Sequence, residues 1–142
     1  MMRRHALLAL AWFAVIAVGC GPTDEVLENR QWTDDMEFRI TSDPLPPRAR
    51  ERVLYKVVVR DRKSGEPIER GEGRVFATSR DGANTWDALL PGPELGTYYG
   101  TVNFVTAGEW AIAIQFRRDS TRSLERMDWM QEVLNATTST TP

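Results

Sequence analysis

The stretch Gly96 to Arg118, GTYYGTVNFVTAGEWAIAIQFRR, decides the fold class. Tyr98, Gly100, Val102 and Phe104 alternate with Tyr99, Thr101, Asn103 and Val105. Beyond Gly108, Trp110, Ile112, Ile114 and Phe116 alternate with Ala111, Ala113, Gln115 and Arg117. Period-2 alternation of aromatic and β-branched residues marks half-buried strands. The spacing predicts a hairpin. A three-residue loop Thr106-Ala107-Gly108, closed by Val105 and Glu109, places Gly108 where left-handed backbone is needed. Phe104 then faces Trp110, Val102 faces Ile112, Gly100 faces Ile114 and Tyr98 faces Phe116, with every large apolar pair on one face. The second face carries Tyr99, Thr101, Asn103, Ala111, Ala113 and Gln115. It is small and mostly uncharged for a solvated surface, so a C-terminal helix or a partner is expected to cover it.

Working outward, Met36, Phe38 and Ile40 alternate in a short strand, and Ser42-Asp43-Pro44-Leu45-Pro46-Pro47 breaks regular structure. Arg52 to Arg60 is a second strong strand, and Asp61 to Pro67 is a turn cluster. Ile68 to Ser79 follows, with Gly71 and Gly73 pointing to a bulge or bend. Thr85 to Leu90 reads as a short edge strand. From Thr121 the period changes: Leu124, Met127, Met130 and Leu134 recur at helical spacing, with Asp119 or Ser120 as cap. The expected fold is therefore all-β, an immunoglobulin-like antiparallel β-sandwich over 34–119, with a C-terminal amphipathic helix over 120–136. Residues 137–142 read as a disordered polar tail.

Net charge is −2 and the charges are mixed, so no nucleic-acid footprint is present. The single His and the single Cys, His5 and Cys20, both lie near the N-terminus. The body thus has no disulfide, thiolate or imidazole chemistry. Residues 1–19 read as a signal peptide: Met1 to His5 is basic and Ala6 to Val18 is continuously apolar, too short for an ordinary membrane-spanning helix. The run ends Ala17-Val18-Gly19-Cys20, which resembles the lipobox of bacterial lipoproteins. That resemblance implies cleavage before Cys20 and lipid on its sulfur, with 20–33 as lipidated Cys and tether. Each buried methylene contributes about 0.8 kcal/mol, so several acyl chains hold almost irreversibly. The expected location is the cell envelope, membrane-anchored and facing the periplasm or exterior.

The Pro-rich entry, VLYKVVVRDRKSGEPI (54–68 with Val53), and LGTYYGTVNFVTAGEWAIAIQF are similar to the YtkA-like and FixH-like family of extracytoplasmic domains. The carrying motifs are Gly96-Thr97-Tyr98 and Gly108-Glu109-Trp110, and the resemblance covers roughly Met36 to Arg118. It implies an immunoglobulin-like body, and by association a link to copper handling or oxidase assembly.

Each candidate site has a plainer reading. Met36, Met127 and Met130 are soft Cu(I) donors, and Met127 and Met130 would converge on a helix, but all read equally as core filler. Asp34, Asp35 and Glu37, with Asp81 and Asp87, are carboxylates without Ca²⁺-loop spacing. Arg48, Arg50, Arg52, Arg60, Arg62 and Lys63 read as edge protection or as attraction to anionic lipid. Trp86 reads as an inward-facing edge residue rather than a ligand contact, and Asn135-Ala136-Thr137 as an unused sequon. The residues point to no enzyme, no cofactor, no metal site and no small-molecule substrate. The expected role is a non-catalytic binding or accessory module for an envelope protein, with periplasmic copper handling as the alternative.

Overall fold

The structure is a computed structural model that describes residues 27–138. The expected signal segment 1–19, Cys20 and the end of the expected tail lie outside the described residues. Eight antiparallel strands follow one another: β1 Asn29–Trp32, β2 Met36–Asp43, β3 Arg52–Asp61, β4 Glu72–Ser79, β5 Asn84–Pro91, β6 Thr97–Asn103, β7 Gly108–Arg117 and β8 Glu125–Val133. Their spatial order is β1-β2-β3-β6-β5-β4-β7-β8. The strands form two layers, β1-β2-β3-β6 and β5-β4-β7-β8. The end of β5 joins them through Leu90↔Tyr99 and Pro91↔Tyr98. One side of the sandwich is thus closed by pairing, and the other is open between edge strands β1 and β8.

The alternation predicted for β6 and β7 is present, but the hairpin is not. β6 pairs with β3 and β5; β7 pairs with β4 and β8. The segment 104–107 crosses from one layer to the other. Two of the four expected facing pairs do meet, as contacts through the core rather than along a ladder. Phe104 and Trp110 have ring centroids 5.1 Å apart, and Tyr98 and Phe116 5.0 Å. Period-2 patterning fixes which residues point inward, and two strands with matched inner faces can satisfy it side by side or face to face. The six residues of the supposed second face are accordingly split. Tyr99, Thr101 and Asn103 lie outside one layer; Ala111, Ala113 and Gln115 lie outside the other.

The C-terminal helix expected over 120–136 is also absent: Glu125–Val133 is β8, paired with β7 from Gly108↔Val133 to Phe116↔Glu125. The segment carries two periods. Met127, Trp129 and Val133 alternate as an inner face, and Met130 and Leu124, members of the helical stripe, are exposed. The unpaired edge of β7 decides between them, since its backbone groups need partners and a helix would supply none. Within the expected tether 20–33, Asn29–Trp32 is strand β1 on the edge of β2.

The core runs between the layers: Met36, Phe38, Tyr55, Val57, Tyr98, Phe104, Trp110, Ile112, Ile114 and Phe116 are all at most 1% exposed. The Tyr98 hydroxyl donates to the Ile68 carbonyl at 2.5 Å and accepts from the Gly71 N–H at 2.9 Å, tying the β3–β4 connection to the core. Gly71 must be glycine, because a Cβ there would stand 2.0 Å from Phe116 Cζ.

Candidate binding site

The proline-rich β2–β3 connection shapes the most ligand-like hollow of the surface. Pro has no N–H to extend a ladder, and Pro44 to Pro47 swing away from β2 before Pro47 and Ala49 meet Leu134. This leaves a cleft of about 810 Å³. It runs from the outer face of β2, β3 and β6, with Thr41, Leu54, Lys56 and Tyr99, round the open edge to Gln131 and Leu134 at the end of β8. Leu27, Leu45 and Leu54 line it and are 71%, 41% and 40% exposed. A hollow of this size with mostly apolar walls and few polar groups has the character of a binding site.

The cleft's lining continues into an inner recess of about 40 Å³ between the layers, bounded by Asn29, Ile40, Tyr55 and Trp129. Tyr55 and Trp129 meet there across the open edge with ring centroids 6.3 Å apart. Tyr55 is 1% exposed, yet its hydroxyl has no hydrogen-bond partner among the described residues. Burial pushes the phenol far above its ordinary range, so it stays a neutral donor and acceptor. A buried hydroxyl left unpaired costs roughly 1–3 kcal/mol, which makes this atom a ready anchor for a polar group. At the cleft rim Lys56 Nζ pairs with Glu94 Oε2 at 3.1 Å, and that bond raises its pKa.

The sequence-derived candidates fall elsewhere. Met127 is buried and Met130 is 58% exposed, on opposite faces of β8, so the two thioethers do not converge; Met36 is fully buried on β2. Among the described residues no group of three His, Cys, Asp or Glu is placed to hold a metal ion. The carboxylates 34–37 separate. Asp35 joins Asp61 around Arg118, whose Nη2 donates to Asp61 Oδ2 at 2.6 Å and to the Asp35 carbonyl at 3.1 Å. Glu37 pairs with Arg39 instead. The clamp pins the end of β7 to the start of β2 and the end of β3, with Glu125 beside it. Asp87 accepts from the Thr101 N–H at 2.7 Å, a structural bond. Asp81 sits in the exposed β4–β5 turn, and Asn135 is exposed after β8.

The arginines do not form one basic edge. Arg48 reaches the Asn135 carbonyl, Arg60 that of Gly65 and Arg62 that of Thr33, each a local tie. Trp86 is not inward, although β5 is an edge there, pairing with β4 and reaching β6 only at Leu90 and Pro91. It lies outside β5, 60% exposed, opposite Phe76. Sequence reasoning missed the cleft because Leu27, Leu45, Leu54 and Leu134 share no period or spacing; only the fold assembles them.

No family model matches the chain, and no curated protein matches it in sequence. The likeness to YtkA-like and FixH-like domains therefore rests on the Gly-x-Tyr and Gly-x-Trp motifs alone. Solved structures are similar in fold. A DUF4426 family protein from Pseudomonas aeruginosa PAO1 superposes with a TM-score of 0.60 at 13% identity, covering 78% of this chain and 97% of that one. FetP of uropathogenic Escherichia coli strain F11, expressed recombinantly in the periplasm, gives 0.55 at 12%, covering 75% and 93%. A copper-bound variant of FetP gives 0.54 at 11%, covering 81% and 96%. At these identities the likeness is one of architecture: this chain shares an all-β antiparallel fold with them.

Proposed function

We propose that the chain is a lipid-anchored, extracytoplasmic β-sandwich that binds an envelope protein through the Leu45/Leu54 cleft and catalyses nothing. The observation that carries this reading is the placement of the cleft. Its wall begins at Leu27, seven residues after Cys20 in the sequence, so a lipid on that thiol would be tethered to the hollow by a segment of at most about 25 Å. The lipobox-like Ala17-Val18-Gly19-Cys20 supports the anchor, and the periplasmic expression of FetP is in keeping with an extracytoplasmic setting. Cys20→Ser is expected to move the protein from the membrane to the soluble fraction. Leu45→Asp and Leu54→Asp, both at partly exposed sites, are expected to leave folding intact and to remove a cross-linked partner in whole cells. Cross-linking that persists in both variants overturns the reading.

A copper-handling accessory role is the second reading, favoured by the copper-bound FetP variant of like fold. Thioethers suit Cu(I), yet Met130 is exposed on the outer face of β8 while Met36 and Met127 are buried among the apolar side chains of the core. Among residues 27–138 no His or Cys accompanies these thioethers, and cleavage before Cys20 would remove His5.

A further inference from the structure

β8 ends its layer, so one of its edges has no neighbouring strand along Glu125–Val133 among the described residues. The next residue shows what that edge accepts. Leu134 donates its N–H to the Pro47 carbonyl at 2.9 Å and accepts from the Ala49 N–H at 2.9 Å. Arg48 and Leu134 form a parallel bridge there. Successive residues of an extended strand send their backbone groups to opposite sides. Leu134 bonds away from β7, so Glu132, Met130, Asp128 and Arg126 also turn their N–H and C=O away from β7. A ladder has thus been started on this edge and stops at the Glu132 carbonyl, where the next donor would be residue 47 and Pro47 has no N–H. The recess with the unpaired Tyr55 hydroxyl opens beside the place where it stops, lined by Gln131, Trp129 and Leu45.

We infer that the partner docks by strand addition: an extended peptide segment pairs with the free edge of β8, continuing the position begun by Pro47–Ala49. Its side chains on the core side lie over Leu45 and Trp129, and one small hydrogen-bonding group enters the recess, which at about 40 Å³ has room for no more, to meet the Tyr55 hydroxyl. Main-chain bonds give the affinity of such docking and the alternate pockets give its selectivity. This inference rests on the reading of the chain as a protein-binding module.

The probe is the capped heptapeptide Thr-Val-Thr-Gln-Thr-Val-Thr, added to the full-length chain. Amide hydrogen exchange should show protection of Met130, Asp128 and Glu132 that appears only with peptide. Tyr55→Phe should weaken binding several-fold, and should lose its effect when the peptide Gln is replaced by Val. Met130→Pro removes an outward N–H and should weaken binding at least tenfold while the chain stays folded; Trp129→Pro removes an inward one and should unfold it. If Met130→Pro also unfolds the chain, the exchange measurement decides alone. Three results overturn the inference: no protection at millimolar peptide, the same amides protected without peptide by self-association, or protection produced by palmitate instead. If the peptide fails while Leu45→Asp still abolishes cross-linking, the binding reading stands and strand addition falls.

Discussion

Tyr98 and Phe116 meet edge to face, with ring centroids 5.0 Å apart and planes at 72°, one from each layer of the sandwich. Phe38 completes the cluster, its ring 5.5 Å from that of Phe116. Phe116 is fully buried, so Phe116→Ala should cost about 3–5 kcal/mol. Tyr98→Phe keeps the ring but strands the Gly71 N–H and the Ile68 carbonyl, at about 1–3 kcal/mol. Gly71→Ala should cost at least about 1–3 kcal/mol by overpacking against the same ring. Because both touch one ring, Gly71→Ala and Phe116→Ala should be less than additive. Urea unfolding of the single and double variants checks all three.

Two tryptophans of the second layer, one exposed and one buried, should behave oppositely. Trp110 is 1% exposed and its indole N–H donates to the Thr106 carbonyl at 3.0 Å, closing the crossing between layers. Trp110→Ala should lose about 3–5 kcal/mol. Trp86 is 60% exposed, and Trp86→Ser should stay within about 0.5 kcal/mol. Thermal melts of both variants read this directly.

Around Arg118 the stability should depend on pH in two opposed ways. Asp61 is held below its ordinary value by the Ser64 amide, the Arg118 guanidinium and the Lys63 amide. Its stabilisation is therefore present above the ordinary carboxylate range, begins to fade as pH falls into that range, and is lost as pH falls on through the depressed native value. Glu125 is raised, by burial first and then by Asp35 and Asp34, against a hydrogen bond from Thr33. Its ionised form is disfavoured in the fold, so the cost is present at neutral pH and is relieved as pH falls through the raised value. Glu125→Gln should stabilise the chain at pH 7 and remove the gain seen on mild acidification. Asp61→Asn should destabilise it at pH 7 and flatten the acid limb. Denaturation midpoints between pH 3 and pH 8 separate the two.

Residues 27–138 should not take up Cu(I) with high affinity, because Met127 and Met130 face opposite sides of β8. Titration with a Cu(I) chelator competitor should give the same curve for the parent and for Met127→Leu with Met130→Leu. A stoichiometric site lost in that pair would make the copper-handling role the better reading.

Much of the fold was legible in the order of residues. The inner faces of β2, β3, β6 and β7 were readable because alternate side chains of a strand have only two sides to choose between. The glycine at 108 was readable because its backbone, at φ 116°, favours a residue without Cβ. The cleft was not readable, since its leucines come from four unconnected places.

By itself, then, the chain's chemistry settled that the segments of β2, β3, β6 and β7 are strands, which of their side chains point inward, and that the one thiol and one imidazole stand outside the described fold. The tertiary structure alone decided that β6 and β7 face each other across the core instead of pairing. It also decided that Glu125–Val133 extends as a strand instead of coiling. The reason is the same in both cases. A side-chain pattern records which face meets the core, while the choice of neighbour is made by backbone hydrogen bonds that every residue offers alike.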